Sequence, residues 1–133
     1  MLKFHVFCCI ISVGCENMSK NYFMNGITDM LILSLLEGKD RYMYEIVKCI
    51  EDYSGGLLRI SQNTIYAAAY KLGNDGRISE YSKLVGKRRT RVYYRLEEDG
   101  RAYLAELRDS YRNTTNGVQN ILTILDREDD KDE

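Results

Sequence analysis

Two stretches of this chain carry side chains suited to the chemistry of a nucleic-acid duplex. The first is Gln62-Asn63-Thr64, directly behind Ser61. Primary amides can pair bidentately with adenine in the major groove, and threonine can donate, accept or touch a thymine methyl. Tyr66 and Lys71, further along the same stretch, are long enough to reach phosphates, which fix position without carrying sequence information. The second stretch is Gly86-Lys87-Arg88-Arg89-Thr90-Arg91, whose cations suit phosphate or minor-groove contact. Taken alone, each has an ordinary explanation: polar residues on a solvated helix face, and a charge run on a solvated surface. It is their occurrence together, one on a capped helix and the other at a turn, that favours nucleic-acid binding.

The charge distribution agrees. The 133 residues sum to a formal charge of only -1, but that balance hides a segregation. Between Arg59 and Arg95 nine basic residues oppose two acidic ones, a local excess of seven positive charges. Between Asp126 and Glu133 six acids oppose Arg127 and Lys131, a local excess of four negative charges. A basic face matters more to a polyanion than the whole-chain sum.

The surrounding pattern predicts the elements that must position these groups. Thr28–Glu37 is almost continuously apolar, with Thr28 as a candidate N-cap and Gly38 just past the end, and so reads as a central helix. Asp40 is a candidate cap for a second helix over about Tyr42–Tyr53, in which Met43, Ile46, Val47 and Ile50 recur at helical spacing until Ser54-Gly55-Gly56 breaks it. Ser61 opens a third helix with Ile65, Ala68, Ala69 and Leu72 on its buried side, ended by Gly73, Asn74 and Gly76. Ile78–Leu84 and Arg89–Leu96 read as two strands joined at Gly86-Lys87. In the second strand Val92, Tyr94 and Leu96 share one face, and Arg91, Tyr93 and Arg95 the other. A last helix, about Glu98–Leu125, carries Leu104, Leu107, Tyr111, Thr114, Val118, Ile121 and Leu125 at alternating steps of three and four, a heptad seam. A helix so long, with few neighbours left to cover it, wants a partner chain. Gly117 and Asn113–Asn116 weaken its middle, where a kink or local contact is an option.

The fold class predicted is therefore mainly α with a small β-hairpin: a winged helix-turn-helix followed by a long C-terminal dimerisation helix. Four regions follow: an N-terminal extension or arm at 1–23, a winged-helix DNA-binding domain at 24–97, the dimerisation helix at 98–125 and an acidic tail at 126–133. The dimer interface is assigned to Leu104, Leu107, Tyr111, Val118, Ile121 and Leu125. The DNA-binding residues are assigned as Gln62, Asn63, Thr64, Tyr66, Lys71, Lys87, Arg88, Arg89 and Arg91.

Other classes find less support. The single histidine, His5, lies in the apolar run 1–15, and there is no nucleophile elbow, phosphate loop or metal-ligand pair, so the chain is read as a non-enzyme with no cofactor and no metal. Three of the four cysteines (Cys8, Cys9, Cys15) crowd that same run, and Cys49 reads as a small buried apolar residue. The run is too short to span a membrane. Met18 begins a natural start, MSKNYFMNG, so residues 1–17 are read as an over-extended start or a loose arm in a cytoplasmic protein, in preference to a targeting signal or a lipoprotein anchored at Cys15. The alternative to a DNA-binding regulator is a winged helix that binds only proteins.

Several stretches resemble the PadR family of bacterial transcriptional regulators: Met30–Leu36 with Gly38, Tyr44-Glu45-Ile46, Ser61–Tyr66, Lys71-Leu72, Asp75–Ile78, and Arg91–Leu96 followed by Gly100. The resemblance covers about residues 24–125 and rests on the order and spacing of these stretches, none of which is decisive alone. It implies a winged helix dimerised through its C-terminal helix, of the short-tailed branch, that represses transcription; such a dimer is expected to grip a pseudo-palindromic operator in double-stranded DNA. It further implies release by a small-molecule effector or by rearrangement of the dimer. Tyr66 would then contact the DNA backbone or, equally, pack against the first helix. Met43, Ala69 and Glu97 depart from the family pattern, where glycine, leucine and a capping threonine are usual. The absence of tryptophan excludes a tryptophan-based drug pocket. A cavity lined by Tyr103 or Tyr111 is a weaker expectation than plain core packing for both.

Overall fold

The computed structural model describes residues 15–131, with side chains from residue 26 onward; residues 1–14, including His5, Cys8 and Cys9, lie outside the described residues. Four helices and three strands follow in the order α1 (Cys15–Gly38), β1 (Arg41–Tyr42), α2 (Met43–Tyr53), α3 (Gln62–Asn74), β2 (Ile78–Val85), β3 (Arg89–Leu96) and α4 (Glu98–Lys131). The strands form one antiparallel sheet in the order β1-β3-β2. This is a winged helix with a long helix appended.

α1 is central because its apolar residues point in several directions at once. Met30, Ile32, Leu33 and Leu36 are buried, and Leu31 and Leu35 pack partly against the same core. Its start corrects the expectation for Thr28. The helix begins at Cys15, so Thr28 is an interior residue, 2% exposed, and not the cap. No proline interrupts 15–28, and a lone Gly26 costs only about 1 kcal/mol against alanine, so nothing stops the helix continuing upstream.

A second correction concerns Asp40. The residue before α2 is Tyr42, in extended conformation with no side-chain cap. Arg41 and Tyr42 are drawn out as β1, pairing with Tyr94 and Tyr93 of β3. Asp40 instead accepts a hydrogen bond from the Tyr81 hydroxyl at 2.8 Å and pairs with Arg95 at 3.4 Å. That acceptor raises the Tyr81 hydroxyl above its ordinary range, chiefly because the hydrogen bond favours the neutral phenol. Met43, at a position where glycine was noted as usual, is buried in the core at the start of α2.

The two strands lie where alternation and the Gly86-Lys87 turn place them, the first extending one residue further to Val85. Ile78 opposes Leu96 and Val85 opposes Arg89, with Gly86 at φ 75 closing the turn. A positive φ costs glycine nothing, because it has no Cβ to clash. Beyond the core end of the hairpin the apolar face thins out. Ile78, Tyr94 and Leu96 are buried, whereas Val92 is 44% exposed.

α4 begins at Glu98, so the glutamate at 97 does not displace its start; the Glu97 carboxylate accepts from the Ser79 hydroxyl. The helix runs unbroken to Lys131, passing Gly117 without interruption and carrying most of the acidic stretch, which is therefore helical as far as it is described. Its first half belongs to the same core as the winged helix. Leu104 is 1% exposed, Tyr103 and Leu107 pack against the core, and Arg108 pairs with Glu37 of α1 at 3.2 Å.

Candidate nucleic-acid interface

The outer face of α3 is built by its cap and its spacing. The Ser61 hydroxyl accepts from the Thr64 backbone N–H at 3.2 Å, satisfying one of the free amides of the first turn. Ile65, Ala69 and Leu72 anchor the inner side, Ile65 being fully buried. Opposite them Asn63, Tyr66, Tyr70 and Asn74 follow at steps of three and four, with Ala67 beside them, and all are exposed. Gln62 flanks this crest and is also exposed.

Two residues assigned from sequence sit off the crest. Thr64 is half-buried, and its hydroxyl lies 2.8 Å from that of Ser61, so it serves the cap. Lys71 is exposed but lines a groove with Asp29, Asn63 and Thr64 on the α1 side. There burial raises the Asp29 carboxyl above its ordinary range, while Lys71, the Tyr103 hydroxyl and Arg77 pull it back down. Part of the Lys71 charge is thus spent on Asp29. Conversely Tyr70, 73% exposed near the centre of the crest, escaped sequence analysis, although its position seven residues after Asn63 and four after Tyr66 marks it.

The hairpin separates its cations into two groups. Lys87, Arg88 and Arg89 lie at the exposed tip, and among the described residues none of them pairs with a carboxylate. Arg91 lies elsewhere. It occupies the sheet face opposite Tyr94, with its guanidinium 4.2 Å from the Tyr42 ring centre. That face is a ladder in which the Tyr42 ring meets Tyr93 edge-on at 5.6 Å, Tyr93 stacks on Tyr81 at 5.8 Å, and Arg95 covers Tyr81 at 4.8 Å. Rings held by one another in this way fix the cations above them. The basic run therefore divides into a free tip and an ordered flank, and Arg91 belongs to the flank.

The far half of α4 provides another unfilled surface. Val118, Ile121, Leu122, Ile124 and Leu125 are each about half exposed. Leu104, counted in the seam from sequence, is enclosed by its own chain and presents nothing to a partner; Leu107 is largely turned inward as well. Tyr111 is 46% exposed, at the edge of a shallow groove between α1 and α4. Among the described residues no helix is long and apolar enough to cross a membrane, and no group of three or more His, Cys, Asp or Glu side chains could hold a metal.

Comparison with known proteins agrees with this geometry. Residues 32–106 match the model of the transcriptional regulator PadR-like family. A transcriptional regulator from Clostridium thermocellum is 32% identical, covering 74% of this chain and 92% of its own, with a TM-score of 0.68. A PadR family transcription regulator from Clostridium difficile R20291 is 27% identical, covering 71% of this chain and 97% of its own, with a TM-score of 0.64. Bacillus subtilis PadR, solved in complex with operator DNA, shares the fold at 22% identity and a TM-score of 0.56, over 60% of this chain and 45% of its own.

Proposed function

The chain belongs to the PadR-like family of transcriptional regulators, a family of regulators and not of enzymes, and on that premise we propose that it binds double-stranded DNA in a sequence-specific manner as a homodimer. The observation that carries this reading is the pairing of two exposed features: a capped helix with an amide- and tyrosine-bearing crest, and a hairpin tip whose three cations pair with no carboxylate among the described residues. α3 enters the major groove, where Gln62 and Asn63 read base edges and Tyr66 and Tyr70 flank them. Lys87, Arg88 and Arg89 hold phosphates or enter the adjacent minor groove. Lys71 contributes a weaker contact from the side. Arg91, fixed over Tyr42, acts at longer range.

The half-exposed apolar residues in the second half of α4 support dimerisation. An apolar strip on a helix that extends past its own core is most simply covered by the same strip of a second copy. Two-fold symmetry then asks for an inverted repeat, with half-sites about 10 base pairs, or a multiple, apart. Ile121→Asp places a charge in the middle of this strip without touching the core. Sedimentation of the variant is expected to give a folded monomer, and a surviving dimer would reject the interface. The same reading makes the protein a repressor of the short-tailed kind, relieved when a small molecule binds.

Selection by the purified protein from a randomised duplex library tests the proposal. Enrichment of an inverted repeat is the expected result. If nothing is enriched even at low salt, where phosphate contacts are strongest, a winged helix that binds only proteins becomes the better description.

A further inference from the structure

One groove is chemically out of place on a face meant for a polyanion. It lies between α3 and β2, has a volume of about 480 Å³ and is walled by Tyr66, Tyr70, Asn74, Ser79, Glu80 and Tyr94. Among the described residues no lysine or arginine lines it, and Glu80 is the one charged residue that does. Glu80 forms no ion pair among the described residues. It stands directly across the hairpin from Tyr94.

Tyr94 forms the floor of the same groove. The residue is only 8% exposed, yet its hydroxyl has no hydrogen-bond partner among the described residues. No buried side-chain oxygen or nitrogen lacks a partner among the described residues, so this hydroxyl is not sealed in the core but open to the groove it lines. Burial, the Tyr66 hydroxyl and the Glu80 carboxylate all keep it protonated.

We propose that this groove is a binding site for a small organic cation, an amine or quaternary ammonium. The Glu80 carboxylate faces the charge, the Tyr66 and Tyr70 rings attract it through their π faces, and the Tyr94 hydroxyl meets a polar edge. The volume falls within the range of small-molecule pockets. A phosphate would meet the Glu80 carboxylate with no cation to offset it, so the DNA backbone is a poor occupant. A ligand seated here covers Tyr66 and Tyr70 on the crest of α3 and therefore competes with a duplex. That competition rests on the DNA-binding reading above, whereas the site itself does not.

Benzyltrimethylammonium titrated into the ¹⁵N-labelled full chain is the probe. Saturable shifts are expected at Tyr66, Tyr70, Asn74, Glu80 and Tyr94. Glu80→Gln and, separately, Tyr70→Ala should each weaken binding about tenfold, with unchanged circular dichroism. No saturable shift, equal affinity in Glu80→Gln, or shifts confined to α1 and α4 would overturn the site. In a second arm, a selected duplex is titrated with and without saturating probe, at sodium chloride matched for ionic strength. At least a tenfold loss of duplex affinity is expected, and unchanged affinity overturns the competition. If no duplex is bound even without probe, it is the DNA-binding reading that fails, and the shift experiment alone decides the site.

Discussion

Replacing Arg88 and Arg89 together by alanine is expected to lower affinity for every duplex by about thirtyfold at ~0.15 M salt, and to reduce the slope of log affinity against log salt by about two. The magnitude follows from counterion release. Each neutralised phosphate contributes about 0.9 to that slope, which is roughly a fivefold gain at this ionic strength. Both side chains lie at the exposed tip and pair with no carboxylate among the described residues, so the effect falls on DNA. Their removal should leave the preferred sequence unchanged, because phosphate contacts carry no base information. Arg91→Ala is a contrast: its guanidinium lies over Tyr42 on the opposite sheet face, and a smaller loss is expected. Fluorescence anisotropy across a salt series measures affinity and slope for both variants against the unaltered chain. An unchanged slope for the double variant would remove the wing tip from the interface.

The largest expected effect on stability comes from Gly100→Ala. Glycine in a helix is ordinarily a weakness, and alanine should gain about 1 kcal/mol. Here a Cβ would overlap the Arg77 carbonyl oxygen and come within 2.7 Å of Leu96 Cδ1. The carbonyl cannot yield, since it also accepts from the Glu97 backbone N–H at 3.0 Å. Relief requires α4 to lift from the hairpin, which disturbs Leu104 in the core. A net destabilisation of roughly 2–4 kcal/mol is expected from overpacking of this kind. Gly117→Ala is the internal control. It lies in the same helix, and a Cβ there meets nothing within 4 Å, so it should be stabilising. Thermal denaturation of the two variants should move in opposite directions; stabilisation by both would mean that α4 is not held against Arg77.

What sequence revealed and what it hid divide along physical lines. The Ser61 cap was legible because capping is local, needing only a hydroxyl and the amides three residues on. The same chemistry misled at Thr28 and Asp40, whose types suit caps but whose partners are set elsewhere: Thr28 by burial inside α1, and Asp40 by Tyr81, forty-one residues away. β1 was invisible because two residues cannot show alternation. Its absence mattered, since Tyr42 on β1 is what takes Arg91 out of the basic run. Alternation in β3 had correctly set Arg91 apart from Tyr94 and Leu96, but the charge run was read as one unit. The heptad seam of α4 was continuous in sequence, yet spacing alone cannot say which part of a seam is already filled. Leu104 faces inward and Ile121 faces out. Tyr70 was legible from its spacing after Asn63 and Tyr66, opposite the buried side of Ile65, Ala69 and Leu72, but a tyrosine in an alanine-rich helix resembles core.

The claim on which the rest depends is that the first turn of α3 reads bases. Library selection run in parallel with the unaltered chain and with Asn63→Ala tests it most directly. Both should return inverted repeats of the same spacing, while Asn63→Ala loses its preference at one base pair in each half-site, at a cost of about 1–3 kcal/mol for that pair. Identical motifs from the two proteins would contradict base reading by Asn63 and leave α3 as a positioning element only.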